Sequence, residues 1–451
     1  MNAAAARRAT SFAFERVNSV FILAAAALFL QIPSFYGEDI VNARNNYLDG
    51  ARTDFWGGVS TLIYAHIPSF GFRWQIWLAV FQIVLTAVAL NKILPTGVQT
   101  ARVKAIKYLA IYSSLTFGSQ MTRDGLMFSL LIFGFASLNT LLSKQRRIIH
   151  TVWPLLIICI GMSFRPWLSF AILPLILMVL KTNKIRLARW TTTGIILSIT
   201  IAPLAIEYAA AKGLQLEESF PQQQVMLMDA AATYCYTTNT RTGERAEKAL
   251  QIFSNDPNYN DFVCQLYRPD TWLSLTKANN TSSAGFKVDF KLIEPGNFKE
   301  YEELESKWLE FIINDPVTYI QNKILFGSKL LIGSDSRNIS VLSADSISTK
   351  ILGVYRLAYD VAISLHLFSF FFCIVILFIG PARRFMRDRR GGLNIDQFAL
   401  HVLSSVFIWN SLSAVAYIGS NGRYTYALTL LSLVLYFSHK KQHRTQIEKN
   451  A

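Results

Sequence analysis

Charge is scarce in this chain: Asp, Glu, Lys and Arg make up only 16% of its 451 residues, against 52% hydrophobic. With a mean hydropathy of +0.30, that balance excludes a soluble protein of this length. Alternation with period two over about ten residues is also missing, which argues against an outer-membrane barrel. There is no Gly-rich phosphate loop and no nucleophile elbow. The six histidines, His66, His150, His366, His401, His439 and His443, include no pair at metal-ligand spacing. Structural roles are expected for them, and a metal requirement stays open. No small-x-small cleavage pattern follows the first apolar run, only Gln31-Ile32-Pro33-Ser34-Phe35-Tyr36, so that run reads as a retained signal anchor. No lipidation motif appears. No internal repeat pairs the apolar runs into two halves, which weighs against an inverted-repeat transporter.

What the chain has instead is a series of long apolar runs: 17–30, 74–90, 125–142, 148–162, 167–180, 193–211, 361–379, 398–418 and 425–437, with a weaker one at 105–121. Each approaches or reaches the roughly 20 residues that a tilted helix needs to cross a bilayer. Lipid offers no partner to a bare peptide group, so these runs are expected as helices, ten in all. The fold class expected is an all-α polytopic membrane protein.

The formal net charge of +15 is placed rather than spread. Arg7, Arg8 and Arg16 precede the first run; Lys92, Arg102, Lys104 and Lys107 follow the second; Lys144, Arg146 and Arg147 follow the fourth. Lys181, Lys184, Arg186 and Arg189 follow the sixth, five arginines between Arg383 and Arg390 follow the eighth, and Lys440, Lys441 and Arg444 follow the last. Every second loop is basic, the pattern that keeps such loops in the cytoplasm. The basicity thus sets topology and meets anionic lipid; it is no nucleic-acid signal. Both termini are expected in the cytoplasm of a bacterial inner-membrane protein.

That parity places a polar segment outside, between the seventh and eighth spans. The chain divides into an N-terminal membrane module (1–211) with a first outer loop at 35–72, an outer domain (212–350), and a C-terminal membrane module (351–451). Within the outer domain a helix is expected from Phe298 to Asn314, with Leu304, Trp308, Phe311 and Ile312 on one face. Asp315-Pro316 should end it. The stretch 317–332 sets Lys323 and Lys329 among Ile320, Ile324, Leu325, Leu330 and Leu331, as in a helix lying on the outer membrane surface. One or two helices across the outer face are expected between Glu38 and Ile67. Cys159 and Cys373 lie in apolar runs and read as packing residues. Cys235 and Cys264 lie in the outer domain, where an oxidising compartment permits a disulfide; two separate thiols are the alternative.

Charged residues collect at the outer ends of the runs: Glu38 and Asp39, Arg123-Asp124, Arg165 and Arg423. Asp54 follows in the first loop, beside Phe55-Trp56. Guanidinium groups grip phosphate through paired hydrogen bonds. A sugar leaving a lipid-linked phosphate needs that charge, and an incoming hydroxyl needs a carboxylate to take its proton. The bland alternative is that each arginine snorkels to headgroups or pairs with an acid. Trp56 and Trp272 could stack on a sugar.

The order of these features resembles the GT-C superfamily of integral membrane glycosyltransferases. Tyr36-Gly37-Glu38-Asp39-Ile40-Val41-Asn42-Ala43 is similar to the acidic motif that opens the first outer loop, and Asp54-Phe55-Trp56 to the second. Arg123-Asp124-Gly125-Leu126-Met127-Phe128 resembles the charged turn opening span four, and Arg423-Tyr424 the turn before the last spans. The stretch from Trp308 to Tyr319 is similar to a motif of bacterial members. The acidic pair stands as Glu38-Asp39, the reverse of the order in many members, and the proline-rich stretch is reduced to Pro68.

The resemblance implies an inverting transfer of sugar from a polyprenyl-phosphate donor to a periplasmic glycan, lipid or protein such as a pilin. It implies Asp39 as base, with Glu38 or Asp54 next. Arg123, Arg165 and Arg423 would hold the donor phosphate or pair with the acids, supported by Asp124, Tyr424 and Trp56. A surface-polysaccharide polymerase or ligase taking a pyrophosphate-linked donor is the nearest rival. A transporter or flippase is a further one, and it should carry ionisable residues within its spans.

Overall fold

A computed structural model of the chain describes residues 20–21, 23–27, 35–54, 57–68, 74–94, 101–119, 121–143, 148–183, 189–237, 267, 293–332, 339–341, 350, 353–354, 357, 397–416 and 431. These residues are mostly helical. A three-residue strand, β1 (Phe35–Gly37), pairs antiparallel with β2 (Ile339–Val341) so that Tyr36 faces Ser340. Two short helices follow, α1 (Glu38–Leu48) and α2 (Gly58–His66), matching in number the one or two expected between Glu38 and Ile67.

The membrane module comprises α3 (Trp74–Ile93), α4 (Ala101–Ser119), α5 (Arg123–Ser143), α6 (Val152–Ser163), α7 (Ser169–Thr182) and α8 (Arg189–Gly213). Their bounds follow the apolar runs because each run must satisfy its peptide groups internally. Among the described residues three helices are long and apolar enough to cross a membrane, within Trp74–Ile93, Arg123–Ser143 and Thr193–Gly213. The runs at 148–162 and 167–180 form shorter apolar helices, the second interrupted at its start by a tight turn over Pro166–Leu168. Of the ten runs expected to span, those at 361–379 and 425–437 lie almost wholly outside the described residues, and the described residues contain these three full-length ones.

Helix α5 is the centre of the core. It packs between α3 and α6, and its Phe128 meets Phe117 of α4 edge to face, with ring centroids 5.4 Å apart. Gly134 lets α6 approach: a Cβ there would lie 2.6 Å from the Ile158 side chain. The outward faces of α6 and α8 stay apolar, with Val152, Leu156, Leu197, Ile201 and Leu204 exposed. Exposed apolar residues at that density suit a lipid environment rather than water.

Beyond α8 come α9 (Gln223–Thr237), α10 (Phe298–Asn314), α11 (Pro316–Ile332) and α12 (Gln397–Ala416). α10 starts at Asn297, whose side chain accepts from the Glu300 amide at 3.4 Å. It stops at Asp315, as the proline predicts. Asp315 then caps α11, accepting from the Thr318 amide at 3.2 Å and the Thr318 hydroxyl at 2.7 Å, with Pro316 in the first turn. The inward face of α10 carries buried Phe311, with Leu304, Trp308 and Ile312 half-buried, as its periodicity predicts.

α11 departs from expectation in the direction of its lysine. Lys323 points inward, only 9% exposed, and its Nζ lies 2.6 Å from an Asp229 carboxylate oxygen on α9. The helix packs on α9, α10 and α12 instead of resting on lipid alone. Cys235 at the end of α9 is disulfide-bonded and Cys159 is free. Cys264, its expected partner, lies outside the described residues.

Candidate functional site

Five charged side chains from four parts of the chain gather at one end of the helical bundle, where α5 begins, α6 ends and α8 runs out. Thr122 caps α5: its hydroxyl accepts from the Gly125 amide at 3.1 Å and its carbonyl from Leu126. That fixes Arg123 and Asp124 in the first turn, where the helix dipole favours an anion. Asp124 is 2% exposed. Such a burial needs a cation, and Arg165 supplies it from the turn after α6, donating from Nε to Oδ1 at 3.1 Å and from a terminal nitrogen to Oδ2 at 3.4 Å. The structure thus joins two sequence-predicted residues to each other. Arg165 takes the acid-pairing role of the two roles expected for it.

The segment between α1 and α2 reaches the same end through Asp54. One carboxylate oxygen of Asp54 accepts from the Ser219 amide at 2.8 Å and from the Ser219 hydroxyl at 2.7 Å. A short parallel bridge between Thr53 and Glu217 runs alongside, with the Asp54 amide donating to the Glu217 carbonyl. The connection 214–222 also holds the start of α10: Gly296 donates to the Glu218 carbonyl at 2.9 Å. Phe220 in that connection stacks on Tyr301 of α10, with centroids 4.5 Å apart.

Glu207 is the residue that pattern reading passed over. It lies inside the apolar run that forms α8. Its carboxylate accepts from the Gly58 amide and, at 2.9 Å, from the Val59 amide, so it caps the start of α2 from another helix. Arg123 and Asp54 are the charges close enough to act on it. Gly58 allows this approach: a Cβ there would lie 2.4 Å from the Ala211 backbone nitrogen. Gly57 precedes it with φ +86, a left-handed conformation suited to glycine. The available signal was a lone acid in an apolar run, which by itself marks a functional candidate.

Arg44 secures the far end of α2. It donates to the carbonyls of Tyr64, Ala65 (3.2 Å) and Ile67 (3.3 Å), and its guanidinium lies 5.0 Å from the centre of the Trp74 ring. A cation at a helix C-terminus complements the dipole. Burial pulls Arg44 down from its ordinary value, and α2 is pinned at both ends.

Glu38 and Asp39 are the first two residues of α1, directly after β1. Their side chains, and all of Trp56, Trp272, Arg423 and Tyr424, lie outside the described residues. Among the described residues no group of three or more His, Cys, Asp or Glu could hold a metal ion. No family model matches the chain, and no curated protein or solved structure matches it at a significant level.

Proposed function

We propose that this protein is a membrane glycosyltransferase, GT-C-like and inverting, that moves a sugar from a polyprenyl-phosphate donor to a periplasmic glycan, lipid or protein. One observation carries the reading. Arg123, Asp124, Arg165, Asp54 and Glu207 meet at one end of a bundle that is otherwise apolar. A lipid-linked substrate presents its reactive group at that level. Charged groups there act in a medium of low dielectric, where they are worth more than in water.

In this reading the protein sits in a bacterial inner membrane with ten spans, both termini cytoplasmic and residues 212–350 periplasmic. Asp39 takes the proton of the acceptor hydroxyl, with Glu38 or Asp54 as the alternatives. The acceptor oxygen bonds to the anomeric carbon, the bond from that carbon to the phosphate oxygen breaks, and polyprenyl phosphate leaves. Arg123 and Arg423 hold the departing phosphate, while Arg165 keeps Asp124 in place. Glu207 gives a transporter its best argument, since it is ionisable and within a span. Both of its oxygens, however, are engaged by the backbone of α2, which suits an anchor better than a carrier of ions.

The test is transfer by the full chain in liposomes, read as release of polyprenyl phosphate. Surface glycans of a deletion strain, measured by mass spectrometry, would identify donor and acceptor. Asp39→Asn should insert normally and lose activity on the order of 100-fold or more, because an amide cannot take the proton. Wild-type turnover in Asp39→Asn, Glu38→Gln and Asp54→Asn alike would remove the first loop as the catalytic site.

A further inference from the structure

The helical hairpin of α10 and α11 changes the polarity of its outer face along its length. On α10 the exposed positions are largely charged: Glu302, Glu303, Lys307 and Glu310 point outward. From Ile313 onward the outward residues are mostly apolar and none described is charged, with Asn314 and Gln321 the polar ones. Ile313 is 75% exposed, Val317 62%, Ile320 54% and Ile324 68%. Residues 317, 320 and 324 fall within one stripe of a helix, since spacings of three and four return to the same side. The polarity is inverted where α11 meets the protein, on the flank of that stripe. There Lys323 is buried against Asp229, and Trp308 donates to the other Asp229 oxygen at 3.2 Å. A helix in water would place its lysine outward and its isoleucines inward, because each isoleucine left in water forgoes about 1.5–3 kcal/mol of burial.

We infer that the stripe Ile313–Val317–Ile320–Ile324 is a lipid-contact surface, buried in the outer leaflet, with the water boundary crossing the hairpin between Glu310 and Ile313. The occupant is the acyl region of the bilayer. Two observations choose it over a protein partner. The stripe bears no charge among its described outward positions, so nothing in it would select a partner by complementarity. It is also continuous with membrane-type surface, since α11 packs along the apolar helix α12, whose Phe407 is 72% exposed. This placement does not rest on the transfer reaction. It places α11 flat in the outer leaflet through its apolar side, with Lys323 turned toward the protein.

Fluorescence quenching tests it. A bimane label would be attached at Ile320→Cys, Ile324→Cys or Glu303→Cys in the full chain carrying Cys159→Ala and Cys373→Ala, reconstituted in phosphatidylcholine–phosphatidylglycerol vesicles. Labels at 320 and 324 should lose emission with nitroxide-tailed phosphatidylcholine and keep it with aqueous iodide. The label at 303 should do the reverse. Iodide quenching at 320 and 324 would place the stripe in water and overturn the inference. Protection from both quenchers would mean that protein, a second copy or another chain, covers the stripe, and would overturn it equally. The labelled positions face outward, so the label need not disturb packing. Val317→Cys supplies a further position if one variant fails to insert.

Discussion

Arg165 and Asp124 show how much of an arginine's role depends on a neighbour that cannot be read from its own position. Asp124 opens α5 and Arg165 stands in the turn after α6, 41 residues apart, and the two-pronged contact between them exists only because α5 and α6 are antiparallel neighbours. Removing one partner strands the other charge in the interior. Arg165→Ala should therefore lower the stability of the detergent-solubilised protein by about 3–5 kcal/mol, with Arg165→Ala/Asp124→Ala losing less than the sum of the two single changes. A thermal-melt cycle on the four proteins measures it, and simple additivity would refute the coupling. Gly58 gives a second check. Its missing Cβ is what lets α2 sit against α8 under Glu207. Gly58→Ala should cost about 1–3 kcal/mol through overpacking, which a shift in the melting temperature would reveal.

Among the elements, α10 and α11 separate what a sequence states from what it leaves open. The stop at Asp315-Pro316, the helix 298–314 and its inward face at Trp308 and Phe311 were all legible, because proline chemistry and helical period act locally. The direction of α11 was not. An apolar stripe looks the same whether it faces a core or a lipid tail, and a lysine among isoleucines reads as outward by default. Asp229, which turns Lys323 inward, is 94 residues away in the chain and lies in a mild apolar stretch with no motif around it.

The pair has a pH signature. Burial pushes the Asp229 carboxyl above the usual carboxylate range, against the opposing pull of Lys323 and Trp308. With Lys323→Met the pull of the ammonium is gone and the carboxyl rises further. A carboxyl raised in the folded state weakens stability as pH climbs through its folded value, and the weakness is relieved below it. Lys323→Met should therefore lose about 3–5 kcal/mol at neutral pH and recover part of it in the acid range. Equilibrium unfolding of the variant and the parent across that range checks the sign, and a loss independent of pH would show that Asp229 does not titrate there.

At the scale of the molecule, the apolar runs located the helices of the membrane module within a few residues, since a run in lipid has only one way to satisfy its backbone. Span count was less accessible, because a run of 12–15 apolar residues and a full crossing have the same composition and differ in length and packing. The gathering of Asp54, Arg123 and Glu207 was hardest to see: it needs three helices and a connector to be placed before the charges meet. The basic loops still make a topological prediction. Reporters inserted at Gly243 and fused after Ala451 should report opposite sides of the membrane. Agreement between them would mean an odd crossing has been gained or lost, and the outer-face assignment of the site would fall with it.

The ribbon of β1 and β2 has a consequence in time. Residues 35–37 leave the ribosome about 300 residues before 339–341, their pairing partners. At synthesis rates of about 5–20 residues per second that interval is roughly 15–60 s. Helix α1, which begins at the residue after β1, thus spends the whole insertion of the membrane module tethered on one side only. Its Glu38-Asp39 turn reaches its final anchorage late in the chain's synthesis, after the helices beneath it are in place.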